Sequence, residues 1–311
     1  MKAAVCTRYG APNVLQLQSV AQPTPGEGEV LVKIHATAVT SSDCFVRSAI
    51  PSAPMISRIM LRLVVGIAKP RRSVLGMVLA GEIERTGEAV RRLRVGDRVY
   101  AFTKFRFGGY AQYAALPQSS IIAVAPSNVT LEEAAAIPYG GLLALHFLRK
   151  GDIQKAQRVL IYGASGAVGT SAVQLAKHFG AQVTAVCGPA NLALAQALGA
   201  DATIDYTNEN APNRSAQFDL VLDAVGKRKT SQLKSACKDA LAPGGRYISV
   251  DDGTPRLSAS DLELLSTLVE AGSLKPVIDR RYPLEQIALA HEYVERGHAK
   301  GNVVITISHE S

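Results

Sequence analysis

The segment Val159 to Gly180, VLIYGASGAVGTSAVQLAKHFG, places a glycine-rich turn between an apolar run and a run of small residues. That spacing suits the holding of a phosphate by backbone amides. A pyrophosphate binds N–H groups at the start of a helix, where the dipole favours negative charge and a Cβ would keep the anion at a distance. Gly166 provides that approach, and Gly169 lets the helix lie close to its sheet. The common fingerprint is G-x-G-x-x-G; here Ala164 stands at its first glycine, giving A-S-G-A-V-G with Gly163 ahead of it. Gly163, Ala164, Ser165, Gly166, Ala167 and Val168 form the candidate phosphate loop. Taken alone, a tight strand-to-helix turn without a ligand is the competing reading.

The flanking residues supply the elements that such a loop needs. Val159 to Ile161 is a continuous apolar run, the pattern of a parallel strand buried on both faces. From Ala167 or Val168 a helix is predicted, with Val168, Ala172, Leu175 and Phe179 at helical spacing. A strand over Gln182–Cys187 follows at βαβ distance, then a helix over Leu192–Leu198 closed by Gly199. Further strands are expected around Thr203-Ile204 and Leu220–Leu222, a helix near Thr230–Leu241, and a strand over Tyr247–Val250 after Gly244-Gly245. This alternation predicts an α/β fold with a doubly wound parallel sheet. A site strict for NAD carries an acid about 20 residues after the glycine turn, to bind the ribose 2′-OH. Here the second strand ends in Cys187-Gly188-Pro189, with no acid.

The 311 residues suggest two domains, and 47% hydrophobic with 19% charged residues is globular composition. No apolar stretch reaches the roughly 18–20 residues of a membrane span, and the first residues lack the apolar core of a signal peptide; a cytoplasmic location is expected. Cys6, Cys44, Cys187 and Cys237 lie far apart and form no C-x-x-C pair, so free thiols are expected rather than disulfides or a zinc cluster. The net charge of +8 is mostly scattered. Val30–Ile34 and Glu82–Glu84 read as strands of a small bent barrel, separated by Pro- and Gly-rich turns. Thr130–Glu133, T-L-E-E, is a capping box that opens a helix. The domain boundary is drawn near Pro126: residues 126–275 form the dinucleotide-binding domain, residues 1–125 and 276–311 the other, with Val303–Ile307 returning to the N-terminal barrel.

The order of MKAAVCTRYGAPNVLQL, PGEGEVLVKIHATAVTSSD, VGDRVY, GGYAQY, EEAAAIPYGGLLALHFL, GASGAVG, LGADATIDY, FDLVLDAVG and KGNVVITI resembles the medium-chain dehydrogenase/reductases along nearly the whole chain. The similarity is to their zinc-independent quinone oxidoreductase and enone reductase branch. The resemblance implies a GroES-like β-barrel catalytic domain beside a Rossmann domain, an active site in the cleft between them, and a homodimer. Zinc-dependent members carry a Cys, a His-Glu pair and a four-cysteine lobe; this chain has Thr40 at the first position and Met77-Val78 at the second, and lacks the lobe, so no zinc is expected. Where a metal would stabilise substrate charge, the resemblance points to Thr40, Ser41 or Ser42 as donors and to Tyr110 or Tyr113 near the cleft. Capping by the hydroxyls and barrel packing by the tyrosines are the competing roles. Thr40, Ser41 and Tyr110 are the catalytic candidates.

Across the cofactor, the resemblance implies contacts from the phosphate loop, Cys187, Asn191, Tyr206, Val225-Gly226, Ser249-Val250 and Asn302. Relatives that use NADPH place a cation near the 2′-phosphate. This chain offers Ala190 and Asn191 there, while Tyr206 matches, and NADPH is expected with NADH as the alternative. Leu143 stands where relatives commonly have Thr, and Val78 replaces a frequent acid; both make the cleft more apolar.

The expected function is metal-free hydride transfer to a quinone or α,β-unsaturated carbonyl. The alternatives are a catalytically weak dinucleotide sensor or RNA-binding protein of the same fold, or an alcohol dehydrogenase-like enzyme. A small molecule, not nucleic acid, is the expected partner. The apolar and basic insert Ile50–Ser73 reads as a packed helix, a lid or a weak membrane-surface contact. His146, in the apolar stretch Leu142–Leu148, reads as a satisfied core residue.

Overall fold

The computed structural model describes residues 1–49, 62–207, 217–226 and 232–309. Residues 50–61 of the apolar insert, and 230–231 of the helix expected near Thr230–Leu241, lie outside them. The chain divides into two compact units, Met1–Pro138 with Ile278–Ser311, and Tyr139–Val277.

In the first unit β1 (Lys2–Cys6) and β2 (Leu15–Ser19) form an antiparallel pair. A seven-stranded sheet is built on the long β3 (Glu29–Val39), whose apolar and β-branched residues suit a strand buried over most of its length. Its order is β13 (Ile278–Pro283), β14 (Asn302–Thr306), β3, β4 (Val78–Thr86), β5 (Arg98–Phe102) and β7 (Ile121–Val124), with β6 (Tyr113–Pro117) on β3. β14 pairs β3 antiparallel in the register Val303↔Val39, so the last strand does return to the N-terminal barrel. Two helices matter for the site: α1 (Ser41–Ser48), directly after β3, and α8 (Ile287–Glu295), just before β14.

The boundary drawn at Pro126 is corrected to Pro138/Tyr139. The capping box at Thr130 opens a helix as expected, α2 (Leu131–Ala135), with Thr130 and Glu133 bonding each other's backbone. Its buried Ala134 and Ala135 pack on β3, β4, β5 and β14. The helix therefore closes the barrel rather than opening the next domain. The second boundary falls after Val277 instead of Lys275.

The second unit carries α3 (Pro138–Lys150) ahead of a five-stranded parallel sheet in the order β10 (Ala202–Asp205), β9 (Gln182–Cys187), β8 (Arg158–Tyr162), β11 (Phe218–Asp223), β12 (Leu241–Ser249). Val159, Leu160 and Ile161 are fully buried, each contributing on the order of 2 kcal/mol by leaving water. Strand and helix alternate as the sequence predicts, with α4 (Ala167–His178), α5 (Leu192–Ala197), α6 (Gln232–Asp239) and α7 (Ala259–Glu270). β12 begins earlier than the expected Tyr247, and its pairing with β11 is irregular between Phe218 and Leu220. The sheet reverses direction of growth between β8 and β11, and ligands of such sheets bind beyond the carboxyl ends of the strands at that point.

Candidate active site

The loop after β8 sits at this switch point. Gly163 adopts φ +80°, and a Cβ there would lie 2.4 Å from Val225 Cγ2, so the loops after β8 and β11 touch. Gly169 is pressed against the same turn: a Cβ would lie 2.1 Å from Gly163 O. This is the close packing expected of it. Gly163 and Ala164 donate their N–H groups to Val186 O of β9 at 2.9 and 3.0 Å. Ala164 and Val168 are buried, Ser165, Gly166 and Ala167 half-buried.

Gly166 differs from the other two glycines. It is the N-cap of α4, no side chain caps that helix, and no acid occupies its first turn. A Cβ at Gly166 would meet nothing closer than Gly163 O, 3.8 Å away, so the space before the helix is left open. The first amides of a helix have no partner within it. An uncapped, acid-free helix start with open space before it fits a dinucleotide phosphate.

A fully buried carboxylate supports the neighbouring loop. Asp223, at the end of β11, accepts from Val225 N and Gly226 N at 3.1 Å each and from Tyr247 Oη at 3.0 Å. It also accepts from Ser249 Oγ at 3.3 Å and pairs with Lys234 Nζ at 2.6 Å. One carboxylate thus fixes the positions of Val225, Gly226 and Ser249. Val250 follows, its N–H bonded to Asp223 O.

At the other end of the loop system, Cys187 is buried and its thiol is pushed up to about 11 by burial and by Asp205, which leaves it inert as a nucleophile. The Tyr206 ring lies over the Gly188 turn, with a Cβ at Gly188 falling 3.3 Å from it. Asn191 Oδ1 is buried with no hydrogen-bond partner, an orphaned acceptor that a ribose hydroxyl would satisfy. Asn302 belongs to the first unit, buried at the start of β14.

The hydroxyl candidates are also in the first unit. Thr40 is only 4% exposed and is the N-cap of α1 in a capping box with Asp43. Thr40 Oγ1 donates to Asp43 Oδ2 at 2.6 Å and accepts from Asp43 N at 3.1 Å. Capping, the competing role for this hydroxyl, is therefore realised. Ser41 and Ser42 are half-buried in the first turn of the same helix. Asp43 further accepts from Thr40 N at 3.0 Å and Met77 N at 3.1 Å. Burial raises its carboxyl to about 6 against the pull of these donors.

Tyr110 is fully buried, its hydroxyl 3.1 Å from His291 Nε2. Burial first, and then the Asp43 charge, push its phenol well above the ordinary value. His291, also fully buried, turns Nδ1 to Cys44 Sγ at 3.3 Å, and burial with nearby Arg47 lowers it to about 3. Donors and acceptors match when neutral His291 donates from Nε2 to Tyr110 Oη and Cys44 donates to Nδ1. The hydroxyl of Tyr110 is thus engaged inside the barrel, whereas Tyr113 is half-buried and packs on the His309 ring at 5.4 Å.

Asp43, His291 and Asp223 are the residues that sequence reasoning passed over. T-S-S-D carries a capping-box spacing that could have flagged Asp43; nothing local flags the other two. His146 is half-buried rather than a core residue, with its pKa lowered by that burial. All four cysteines are free and buried, as expected. Val78 is buried at the start of β4 and Leu143 half-buried in α3. Thr40, Met77 and Val78 supply no set of nitrogen, sulfur or carboxylate donors for zinc. Among the described residues no three His, Cys, Asp or Glu side chains gather for a metal, and no helix is long and apolar enough to cross a membrane.

Residues 26–126 match the alcohol dehydrogenase GroES-like domain, and residues 167–265 and 253–305 match zinc-binding dehydrogenase families. The chain is 33% identical to 2-methylene-furan-3-one reductase of Solanum lycopersicum, over 98% of this chain and 79% of that one. It is 30% identical to the chloroplastic NADPH-dependent alkenal/one oxidoreductase of Arabidopsis thaliana, with the same coverage. The solved quinone oxidoreductase from Coxiella burnetii superposes with a TM-score of 0.82 at 26% identity, over 99% of each chain. With a barrel of GroES type, a parallel sheet of Rossmann order and an open phosphate loop, the chain belongs to the medium-chain dehydrogenase/reductase superfamily, in its quinone oxidoreductase and enone reductase branch.

Proposed function

We propose that the protein reduces quinones or α,β-unsaturated carbonyls with a hydride from NADPH, without a metal. The observation that carries the reading is the α4 N-terminus, uncapped at Gly166 and free of acid, at the switch point of the sheet. The names of its relatives, an enone reductase and an NADPH-dependent alkenal/one oxidoreductase, agree with it. When bound, the nicotinamide supplies a hydride equivalent, and the protein's part is to hold the cofactor, orient the acceptor and manage a proton.

The loop Gly163–Val168 would take the pyrophosphate; Val225, Gly226, Ser249 and Val250, held by Asp223, and Asn302 would flank the rest of the cofactor. Cys187, Asn191 and Tyr206 would receive the adenosine ribose. No acid stands at the end of β9 to repel a 2′-phosphate. A preference for NADH is the second reading, favoured by the orphaned Asn191 Oδ1, which suits a ribose hydroxyl.

Thr40 and Ser41 would orient the acceptor oxygen and donate to the charge that develops on it. Tyr110 would steady the barrel rather than touch the substrate, because its hydroxyl is buried and engaged by His291. Zinc chemistry has no place in this reading, since Thr40, Met77 and Val78 do not form a ligand set. The alcohol dehydrogenase reading is disfavoured on the same ground. A homodimer in the cytoplasm completes the proposal.

Fluorescence titration with NADPH and NADH, followed by cofactor oxidation with a quinone and with an enone, tests it. Acceptor-dependent oxidation is the expected result. Tight binding with no turnover on either acceptor would replace the reading with that of a dinucleotide sensor.

A further inference from the structure

We propose that the turn formed by residues 63–72 docks the first unit on the surface of an anionic lipid bilayer. Leu63, Val64 and Ile67 enter the headgroup boundary, and Lys69, Arg71 and Arg72 meet lipid phosphates. This binding needs neither cofactor nor acceptor, so it stands apart from the reductase reading.

The apolar part comes first. Leu63, Val64 and Ile67 are 58%, 60% and 68% exposed. They are three of the nine large apolar side chains that the described residues leave in water, and they fall within five positions of the chain. A single exposed apolar residue needs no explanation, whereas a cluster marks a contact surface. Here the exposure is held by the fold. Residues 62–65 are helical, and Val65 and Pro70 are buried at the base of the turn. Gly66 N–H donates to Arg62 O and Arg71 N–H returns to Val65 O, both at 2.8 Å. Tyr9 Oη donates to Gly66 O at 2.6 Å, and the Arg62 guanidinium lies 5.7 Å from the centre of the Tyr9 ring. At Gly66 φ is +144°, and a Cβ would lie 2.1 Å from Lys69 O. The chain is therefore folded back tightly, with the aliphatic side chains left outside.

Charge decides what covers them. Lys69, Arg71 and Arg72 are exposed in the same turn, and none pairs with an acid among the described residues. No Asp or Glu occurs at any of positions 44–81. The backbone of Lys69 and Arg71 adjoins that of Val65 and Gly66, so cations and aliphatic side chains are presented together. An apolar anchor or a basic cluster alone binds a bilayer marginally; the two combined hold a peripheral protein. Three cations near an anionic surface add roughly 100-fold in partition. Nucleic acid calls instead for aromatic rings on which bases stack, which Leu, Val and Ile do not offer. A second copy of the turn would set like charges opposite each other.

The test uses the full chain without cofactor. It should sediment with vesicles of phosphatidylcholine and phosphatidylserine and stay in solution with phosphatidylcholine alone. Raising the salt from about 0.1 M to about 1 M, which shortens the screening length from roughly 10 to 3 Å, should release it. The triple variant Lys69→Gln/Arg71→Gln/Arg72→Gln should bind about 100-fold more weakly, and Leu63→Ser/Val64→Ser/Ile67→Ser should lose at least as much. All six side chains are exposed, so both variants should keep the wild-type Tm. The chain contains no tryptophan, which makes Leu63→Trp a unique reporter: its emission should shift to the blue on the anionic vesicles.

Equal sedimentation with both kinds of vesicle, or with neither, overturns the docking surface. So does anionic-vesicle binding that the serine variant leaves intact, or a Leu63→Trp emission that does not shift. Retention by polyuridylate RNA in place of the vesicles would assign the turn to nucleic acid and overturn it as well. A chain that binds anionic vesicles but oxidises NADPH with neither a quinone nor an enone loses the reductase reading and keeps the docking surface.

Discussion

Two helix starts divide the work of this molecule, and they are built in opposite ways. α1 begins at Thr40 with its donors consumed by its own Asp43, whereas α4 begins at Gly166 with no side chain over it. α2 and α7 follow α1, with capping boxes at Thr130 and Ser258. A helix that supplies its own carboxylate gains stability and has no room for a foreign anion; one that begins at glycine gives up the cap and keeps its amides for a ligand. Each kind of chemistry is placed accordingly. On the proposed reading α4 would hold an anion, while α1 satisfies itself.

Removing the internal carboxylate should disturb the molecule most. Asp43→Ala leaves Thr40 N, Thr40 Oγ1 and Met77 N without their acceptor and should cost about 3 kcal/mol. A fall in the denaturant midpoint with an unchanged slope would show it. Adding a carboxylate to the open start is the reverse experiment. Gly166 has φ −81°, which any residue adopts, so Gly166→Asp should fold with equal or higher Tm while losing roughly 100-fold in cofactor affinity, or ~2.7 kcal/mol. Retained affinity would mean that the amides of α4 do not hold the phosphate.

The pH dependence of stability separates the buried pair in the first unit. His291 falls from 6.5 to about 3 in the fold, so its contribution is present above pH 6.5 and is lost as pH drops toward 3. Asp43 rises from 3.8 to about 6, so its contribution is present below 3.8 and is lost as pH rises through 6. Between 3.8 and 6 the two slopes oppose each other. Asp43→Asn should therefore lose stability on acidification across that window more steeply than the wild type, as urea midpoints taken at successive pH values would show. Least should happen at the capping box that has no part in the site: Ser258→Ala should cost about 1 kcal/mol in unfolding and leave both cofactor affinity and turnover unchanged.

Legibility followed the distance between interacting residues along the chain. The phosphate loop was readable because its strand, turn and helix are contiguous, and their contacts, Gly169 on Gly163 and Ala164, span only a few residues. The parallel sheet could be expected from alternation alone. The domain boundary could not, because α2 looks like any short capped helix, and only its packing on β3, β4, β5 and β14 assigns it to the barrel. The hydroxyl of Thr40 is legible in its residue type; the burial of its partner Asp43 is not.

Residue type and short-range spacing were enough for the α/β alternation, the barrel's return strand, the glycine turn and the lack of zinc-ligating side chains at Thr40, Met77 and Val78. The state of each polar group came only with the packed fold. Asp43, Tyr110 and His291 come from three distant segments, and their hydrogen bonds and shifted protonation arise because folding removes all three from water together. Asp223 is likewise an ordinary acid in the sequence and becomes the anchor of two loops only when β11 and β12 align beside each other. Burial and donor geometry are properties of position in space, and no spacing along the chain encodes them.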